Sequence, residues 1–204
     1  MPAYPLIITH LDSVRVVVVG GGEVATRKVA GLIAGGATPL VISPTLTPQL
    51  AMLRDTGAIT WLTRPYAEGD LAGAFLALAA TNNATVNAQV AAEARERGIL
   101  ANIGDDPAVG NCTTTATVRR GDLVLAVTTN GASPALTTNI RRQLETQYGE
   151  EYAVLLALLR EIRNGPARSL PPERRTMLLH RLVSDQVLAW VRAGEVAKVW
   201  ELVD

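Results

Sequence analysis

The chain of 204 residues reads as an α/β protein in three parts: a doubly wound parallel sheet, a small β segment, and a C-terminal helical domain. Three observations predict this. Nearly continuous apolar runs recur between longer stretches with helical spacing, the first run ends in a glycine cluster, and the alternation stops after Pro107. Apolar runs without polar alternation fit strands buried on both faces. Strands that alternate with helices imply a parallel sheet with right-handed crossovers.

The elements follow in order. VRVVVVG, ending at Gly20, is the first strand, and GGGEVATRKVAGLIAGG enters a helix. Val24, Val29, Leu32 and Ile33 supply its helical spacing, and Gly35–Gly36 its stop. TPLVIS is a second strand, PQLAMLRDTG a helix and AITWLT a third strand. After the loop RPYAEGDLAG, the apolar run AFLALAAT is a fourth strand, expected to end at Thr81. NNATVNAQVAAEARERG is a helix with asparagines fit to cap it and Gly98 to stop it. ILANIG is the fifth strand, and the doubly wound pattern ends near Asp105.

Beyond Pro107, TTTATVRRGDLVLAVTTNG reads as two β segments joined at RRGD with no helix between them, hence antiparallel. From SPALTTNIRRQLETQYG onward the pattern is helical. Ser169 before LPPER is expected to be an N-cap with prolines in the first turn, and SDQVLAW offers another start. The expected domains are 1–112, 113–147 and 148–204.

Composition excludes several classes. The 19 Lys and Arg balance 19 Asp and Glu, which argues against a nucleic-acid partner or an anionic membrane surface. No run approaches the roughly 20 apolar residues of a membrane span. The N-terminal MPAYPLIITHLDS lacks a basic n-region and a cleavable apolar core, so a cytoplasmic protein is expected. The single cysteine, Cys112, excludes an intrachain disulfide and a cysteine-built metal cluster. His10 and His180 each lack a ligand partner at helical spacing, so no resident metal is expected.

Gly20-Gly21-Gly22-Glu23-Val24-Ala25 satisfies G-x-G-x-x-A, the fingerprint of a Rossmann-like dinucleotide site. Gly20 allows the tight turn out of the strand, Gly22 lets the backbone approach a pyrophosphate, and Ala25 keeps the helix close to the sheet. The N–H groups and dipole of the new helix favour the phosphate charge. The second strand, however, ends in Ser43-Pro44-Thr45, where an Asp or Glu ordinarily binds the ribose. Arg27 and Lys28 lie one turn into the helix and read as a solvated face, so these residues leave NAD and NADP both open.

Asp105-Asp106-Pro107 follows the fifth strand, at the carboxyl edge where ligands of open α/β sheets bind. A carboxylate there can take the proton that accompanies hydride loss from carbon. The same three residues are also ordinary turn chemistry.

The segments VVVVGGGEVATRKVAGLIAGGA, LALAATNNATVN, ANIGDDP, RRGDLVLAVTTNGASPAL and IRRQLE, in this order, resemble the precorrin-2 dehydrogenases. These share their fold with the dehydrogenase–ferrochelatase module of siroheme synthase. The resemblance covers about residues 4–147 and implies NAD-dependent oxidation of precorrin-2 to sirohydrochlorin, in a homodimer whose middle β segment helps build the interface. Some members also insert ferrous iron, so a bifunctional dehydrogenase and ferrochelatase is the near alternative. A nucleotide-sensing regulatory module is a remote one.

By resemblance, Glu23 and Val24 match the helix start at the pyrophosphate, Pro44 and Thr45 the pair beside the adenosine, and Thr81 a cofactor-side position. The family commonly lacks the ribose acid, so Ser43 departs from the general fingerprint and not from the family. Asp105 matches the family's essential aspartate, and Asn102 a residue lining the tetrapyrrole pocket. Thr129 falls where siroheme synthase has a pocket serine, and Ser133-Pro134 match the end of a GxSP turn. Two positions depart from the family pattern. Cys112 replaces an aromatic and Thr115 a proline, which removes a stacking surface for the macrocycle. Cys112 reads instead as a small packing residue.

Arg119 and Arg120, with Arg141 and Arg142, could bind carboxylates of the substrate in bidentate geometry. Paired arginines at a hairpin tip or on a helix are also common solvated charges. The apolar residues of the helical tail are expected to form core or dimer surface.

Overall fold

The computed structural model describes residues 3–104 and 109–203. The chain divides into two compact units, Met1–Thr114 and Thr115–Asp204.

The first unit is built on a five-stranded parallel sheet: β1 Val16–Val19, β2 Leu40–Ile42, β3 Thr60–Leu62, β4 Leu76–Ala79 and β5 Leu100–Ile103, in the order β3-β2-β1-β4-β5. Val18 lies opposite Val41 on one side and Leu78 on the other. All four residues of β1 and all four of β4 are buried, as continuous apolar runs require. Helices α1 (Glu23–Ala34) and α2 (Pro48–Asp55) cover one face, packing Ala25, Val29, Leu32 and Leu50 on Val16, Val18 and Val41. Helix α3 (Ala84–Glu96) covers the other, packing Val90, Ala91 and Ala94 on Val17, Val19 and Ala77. Each buried valine contributes about 1.5–3 kcal/mol relative to an exposed one.

Local chemistry starts and stops these helices. The Thr47 hydroxyl accepts the Leu50 N–H ahead of Pro48, and the Asn83 side chain accepts the Thr85 and Val86 N–H groups. Gly98, at φ 67°, ends the turn after α3. Strand β4 ends at Ala79, two residues before the Thr81 expected from the apolar run. Ala80 still donates its N–H to the Val19 carbonyl at 2.7 Å, but the chain then turns, and Thr81 serves the start of α3 instead.

Strand β5 lies at the sheet edge and is covered by the chain that returns to it. Asn111 accepts the Ala101 N–H at 2.7 Å and donates to the Ile99 carbonyl at 3.0 Å, so one side chain stands in for a missing strand. Glu93 is buried on α3 and gathers the β3–β4 loop. It accepts the Gly69 and Leu71 N–H groups at 3.0 and 3.3 Å, the Tyr66 hydroxyl, and Arg97 at 2.8 Å. Burial alone would push its carboxyl up, but these donors together hold it below the usual range. The Tyr66 hydroxyl is pushed well above its own ordinary value by burial and by the same carboxylate.

The second unit opens with an antiparallel hairpin, β6 Ala116–Arg120 and β7 Leu123–Val127, with Arg120 opposite Leu123 across a tip where Gly121 has φ 54°. Helix α4 (Pro134–Gln147) follows, then α5 (Glu151–Asn164), α6 (Pro172–Arg181), α7 (Asp185–Arg192) and α8 (Val196–Trp200). Leu155, Leu158, Ile162, Leu178, Leu182, Val187, Val191 and Val199 form the core of the last four. Ser184 caps α7, as its sequence suggests. Ser169 does not cap α6: the N-cap is Pro171, and Ser169 closes a 3-10 turn by donating to the Pro166 carbonyl at 2.9 Å. Pro172 at the first helical position needs no N–H partner, so the fixed proline geometry replaces a side-chain cap. Among the described residues, no helix is long and apolar enough to cross a membrane.

Candidate functional site

The three glycines after β1 have different duties. Gly20 sits at φ 122°, and a Cβ there would lie 2.3 Å from the Ala80 carbonyl oxygen. At Gly21 a Cβ would lie 2.0 Å from the Thr45 carbonyl oxygen and 2.7 Å from Ser43 Oγ. These two glycines are required by the fold itself. Gly22 is not: its φ is −89°, and apart from its own chain neighbours no described atom lies within 4 Å of where a Cβ would stand. Gly22 is the N-cap of α1 and no side chain caps that helix. An uncapped N-terminus with an open cradle beside it fits a pyrophosphate. Glu23 begins the helix exposed, and Val24 is half-buried.

The loop is tied to α2. Thr26 bonds the Gly22 carbonyl at 3.0 Å and the Thr47 hydroxyl at 2.8 Å, while the Thr47 N–H reaches the Gly21 carbonyl at 2.9 Å. The end of β2 explains the missing acid. Ser43 is buried against Gly21, and Trp61 Nε1 donates to its carbonyl at 2.9 Å. A carboxylate in that position would have to be desolvated beneath the loop. Pro44 and Thr45 follow it on the exposed edge.

At the end of β4, the Thr81 hydroxyl accepts the Asn83 N–H at 3.1 Å and lies 2.7 Å from Asn87 Oδ1. Beside it, Asn102 on β5 is buried with both ends of its amide engaged. Its oxygen accepts the Lys28 ammonium, and its nitrogen donates to the Cys112 carbonyl at 3.1 Å. Lys28 also lies 3.5 Å from the Gly104 carbonyl oxygen. Lys28 is therefore not part of a solvated face; it turns inward across the sheet edge, whereas Arg27 is exposed. The Cys112 side chain packs on the apolar core of this face, and burial pushes its thiol up against a smaller downward pull from Lys28. Asp105 lies outside the described residues.

The structure thus gathers Gly20, Gly22, Glu23, Val24, Pro44, Thr45, Thr81 and Asn102 along the carboxyl ends of β1, β2, β4 and β5. Sequence reasoning missed Gly21, Thr26, Lys28 and Thr47. The Thr47-Pro48 pair is a helix-start signal and was legible; the duties of the other three depend on tertiary contacts.

In the second unit, the Thr129 hydroxyl lies 3.0 Å from that of Thr137 and accepts the Ser133 N–H at 3.1 Å. Ser133 caps α4 by accepting the Leu136 N–H at 3.2 Å. Arg119 is exposed. Arg120 instead donates to the Tyr148 and Glu145 carbonyls at 3.0 and 3.1 Å and pairs with Glu150 at 3.3 Å, tying the hairpin to the end of α4. Among the described residues, no group of three His, Cys, Asp or Glu side chains is placed to hold a metal ion.

Residues 7–116, more than half of the chain, match a family described as NAD(P)-binding, and residues 120–147 match the central region of sirohaem biosynthesis proteins. The chain belongs to this NAD(P)-binding family. Similar members include siroheme synthase 1 of Aeromonas salmonicida, 34% identical over 98% of this chain and 43% of that protein. A siroheme synthase of Chromobacterium violaceum is 42% identical over 72% of this chain and 31% of its own length. The chain thus spans less than half the length of these curated relatives. The solved structure of SirC, a precorrin-2 dehydrogenase, matches with a TM-score of 0.79 and 29% identity, over 98% of this chain and 100% of that one. The open space at Gly22 and the uncapped start of α1 fit the pyrophosphate of a nicotinamide dinucleotide.

Proposed function

We propose that this chain is an NAD-dependent dehydrogenase that oxidises precorrin-2 to sirohydrochlorin. The observation that carries the reading is the end-to-end likeness to a precorrin-2 dehydrogenase, together with a glycine loop that leaves the α1 N-terminus open for a pyrophosphate. When bound, the nicotinamide supplies a hydride acceptor. The protein's part is to hold the dinucleotide on Gly22, Glu23 and Val24, with Pro44, Thr45 and Thr81 along its length. Asp105, which follows β5 in the chain, takes or steers the proton lost with the hydride; general-base help of this kind is worth about 10²–10⁴ in rate. Asn102, Thr129, Ser133, Arg119 and Arg120 serve the substrate side, Asn102 and Arg120 through the groups they bind rather than as free side chains.

The reading takes NAD rather than NADP as the cofactor, with support from two features near the end of β2: Ser43 is buried, and Arg64 is held by both oxygens of Asp70 at 2.6 and 2.8 Å. A 2′-phosphate there would have to draw Arg64 from that pair. The active form is a cytoplasmic homodimer divided at 1–112, 113–147 and 148–204. Support for dimer formation through the middle segment comes from α4, which has no fully buried residue and leaves Leu136 49% exposed.

Turnover of precorrin-2 with NAD under anaerobic conditions tests the reading, and Asp105→Ala tests its chemistry. That variant binds NAD like the wild type and loses most production of reduced nicotinamide; unchanged turnover removes Asp105 from the reaction. The siroheme synthase relatives favour a second reading, in which the same site also inserts ferrous iron as a substrate. Siroheme formation from sirohydrochlorin and ferrous iron, faster with protein than without, decides for it.

A further inference from the structure

The loop after β1 has no side chain of its own to hold its shape. Gly20, Gly21 and Gly22 are consecutive, and glycine loses more conformational freedom on ordering than any other residue. A pyrophosphate site nevertheless needs these peptide planes to stand one way, with N–H groups outward and carbonyl oxygens turned from the anion. Two threonines supply that restraint. The Thr47 N–H holds the Gly21 carbonyl at 2.9 Å. The Gly22 carbonyl is met twice by Thr26, by its N–H at 2.9 Å and by its hydroxyl at 3.0 Å. In a trans peptide a carbonyl and the next N–H point opposite ways. With the Gly21 and Gly22 carbonyls held, the Gly22 and Glu23 N–H groups face away from these anchors, and among the described residues neither meets an acceptor.

The two threonines also bind each other. A hydroxyl has one proton, and that of Thr26 is used on Gly22, so the Thr47 hydroxyl donates across their 2.8 Å contact. The Thr47 oxygen in turn accepts the Leu50 N–H at 3.3 Å. Three hydrogen bonds thus run in one direction, from the first turn of α2 through Thr47 and Thr26 to the Gly22 carbonyl, and such a chain strengthens its members. A helical threonine often bonds the carbonyl four residues back, which accounts for the Gly22 contact alone. It does not account for a second hydroxyl that reaches in from α2.

We infer that Thr26 and Thr47 are positioning residues for the dinucleotide: they hold the glycine loop in its phosphate-binding shape before the cofactor arrives, and they join it to the turn that carries Pro44 and Thr45. The role rests on the reading in which a dinucleotide occupies this loop. Neither hydroxyl needs to touch the cofactor. Preorganisation of this kind lowers the ordering cost of binding, so it acts on affinity.

The test compares wild type, Thr26→Val, Thr47→Val, the double variant, Thr26→Ser and Ser184→Ala in Kd for NAD by calorimetry and in thermal midpoint without cofactor. Loss of one neutral hydrogen bond is worth about three- to tenfold, and Kd is expected to rise by that much in each valine variant. The double variant binds less than about twofold more weakly than the worse single one, because the pair acts as a unit. Thr26→Ser keeps the hydroxyl and binds within about twofold of wild type. Ser184→Ala removes the cap of α7, lowers the thermal midpoint and keeps the wild-type Kd, which separates loss of stability from loss of the site. Should Thr26→Val not fold, Thr26→Ala takes its place. Valine variants that bind NAD within about twofold of wild type overturn the role. So does a double variant whose loss is the product of the two single losses, or a Ser184→Ala protein weakened as much as the valine variants. Wild-type protein that binds neither NAD nor NADP overturns the dinucleotide reading itself, and this role with it.

Discussion

The two units solve the same packing problem differently. In Met1–Thr114 the central strand is closed to water on both faces, and its helices bury apolar stripes against it. In Thr115–Asp204 the sheet is a two-stranded hairpin, no residue of α4 is fully buried, and the dense core is confined to the helices after α4. A hairpin alone is marginal in water, so the second unit leans on its helices and on side-chain ties such as Arg120. The difference teaches where the chain is self-sufficient. The first unit buries its sheet between helices, and the carboxyl ends of its strands carry the residues proposed to hold the cofactor.

The largest effect should separate the units directly. Leu78→Ala, at a buried position of β4, is expected to cost about 2–5 kcal/mol in denaturant unfolding. Leu136→Ala on α4 should change a monomer's stability by less than about 0.5 kcal/mol. An equal cost at the two positions would show that α4 is buried in solution, and the comparison would then have to include a partner surface.

Glu93 offers a sharper probe of the first unit. Glu93→Gln leaves buried N–H groups short of an acceptor and is expected to cost about 1–3 kcal/mol. The pH dependence follows from the lowered carboxyl. Its contribution is present above the ordinary glutamate range and is lost as pH falls through the lowered native value. Wild type and Glu93→Gln should therefore converge in stability on acidification. A gap that widens at low pH would mean that the carboxylate does not hold the β3–β4 loop.

The glycine loop gives a contrast within a single turn. Gly20→Ala and Gly21→Ala should each cost about 1–3 kcal/mol of stability, measured by thermal unfolding without cofactor. Gly22→Ala should unfold like wild type and weaken NAD binding on the order of tenfold, ~1.4 kcal/mol by calorimetry. Equal destabilisation by all three would remove the distinction between the glycines that serve the fold and the one proposed to serve the ligand.

The five strands were legible because a strand buried on both faces needs no more than a continuous apolar run. The end of β4 was not, since Ala80 and Thr81 continue the run while a single bond from Ala80 to Val19 closes the ladder. Ser169 was misplaced for a related reason: a serine before prolines has the composition of a cap, but the chain uses it one turn early. Within the site, Gly20 and Gly22 follow from the fingerprint, whereas Gly21 follows from Thr45 and Ser43 packed above it. Lys28 read as solvated because its acceptor, Asn102, is 74 residues away, and no local pattern connects them. The absent ribose acid, an anomaly in the sequence, has a physical cause: Ser43 is buried beneath the glycine loop, where a carboxylate would have to be desolvated.

The most direct measurement is the anaerobic appearance of reduced nicotinamide when the purified protein meets precorrin-2 and NAD. The account predicts one reduced nicotinamide for each precorrin-2 consumed, with NADP far slower than NAD. Binding of NAD without any reduction in the presence of precorrin-2 would contradict it.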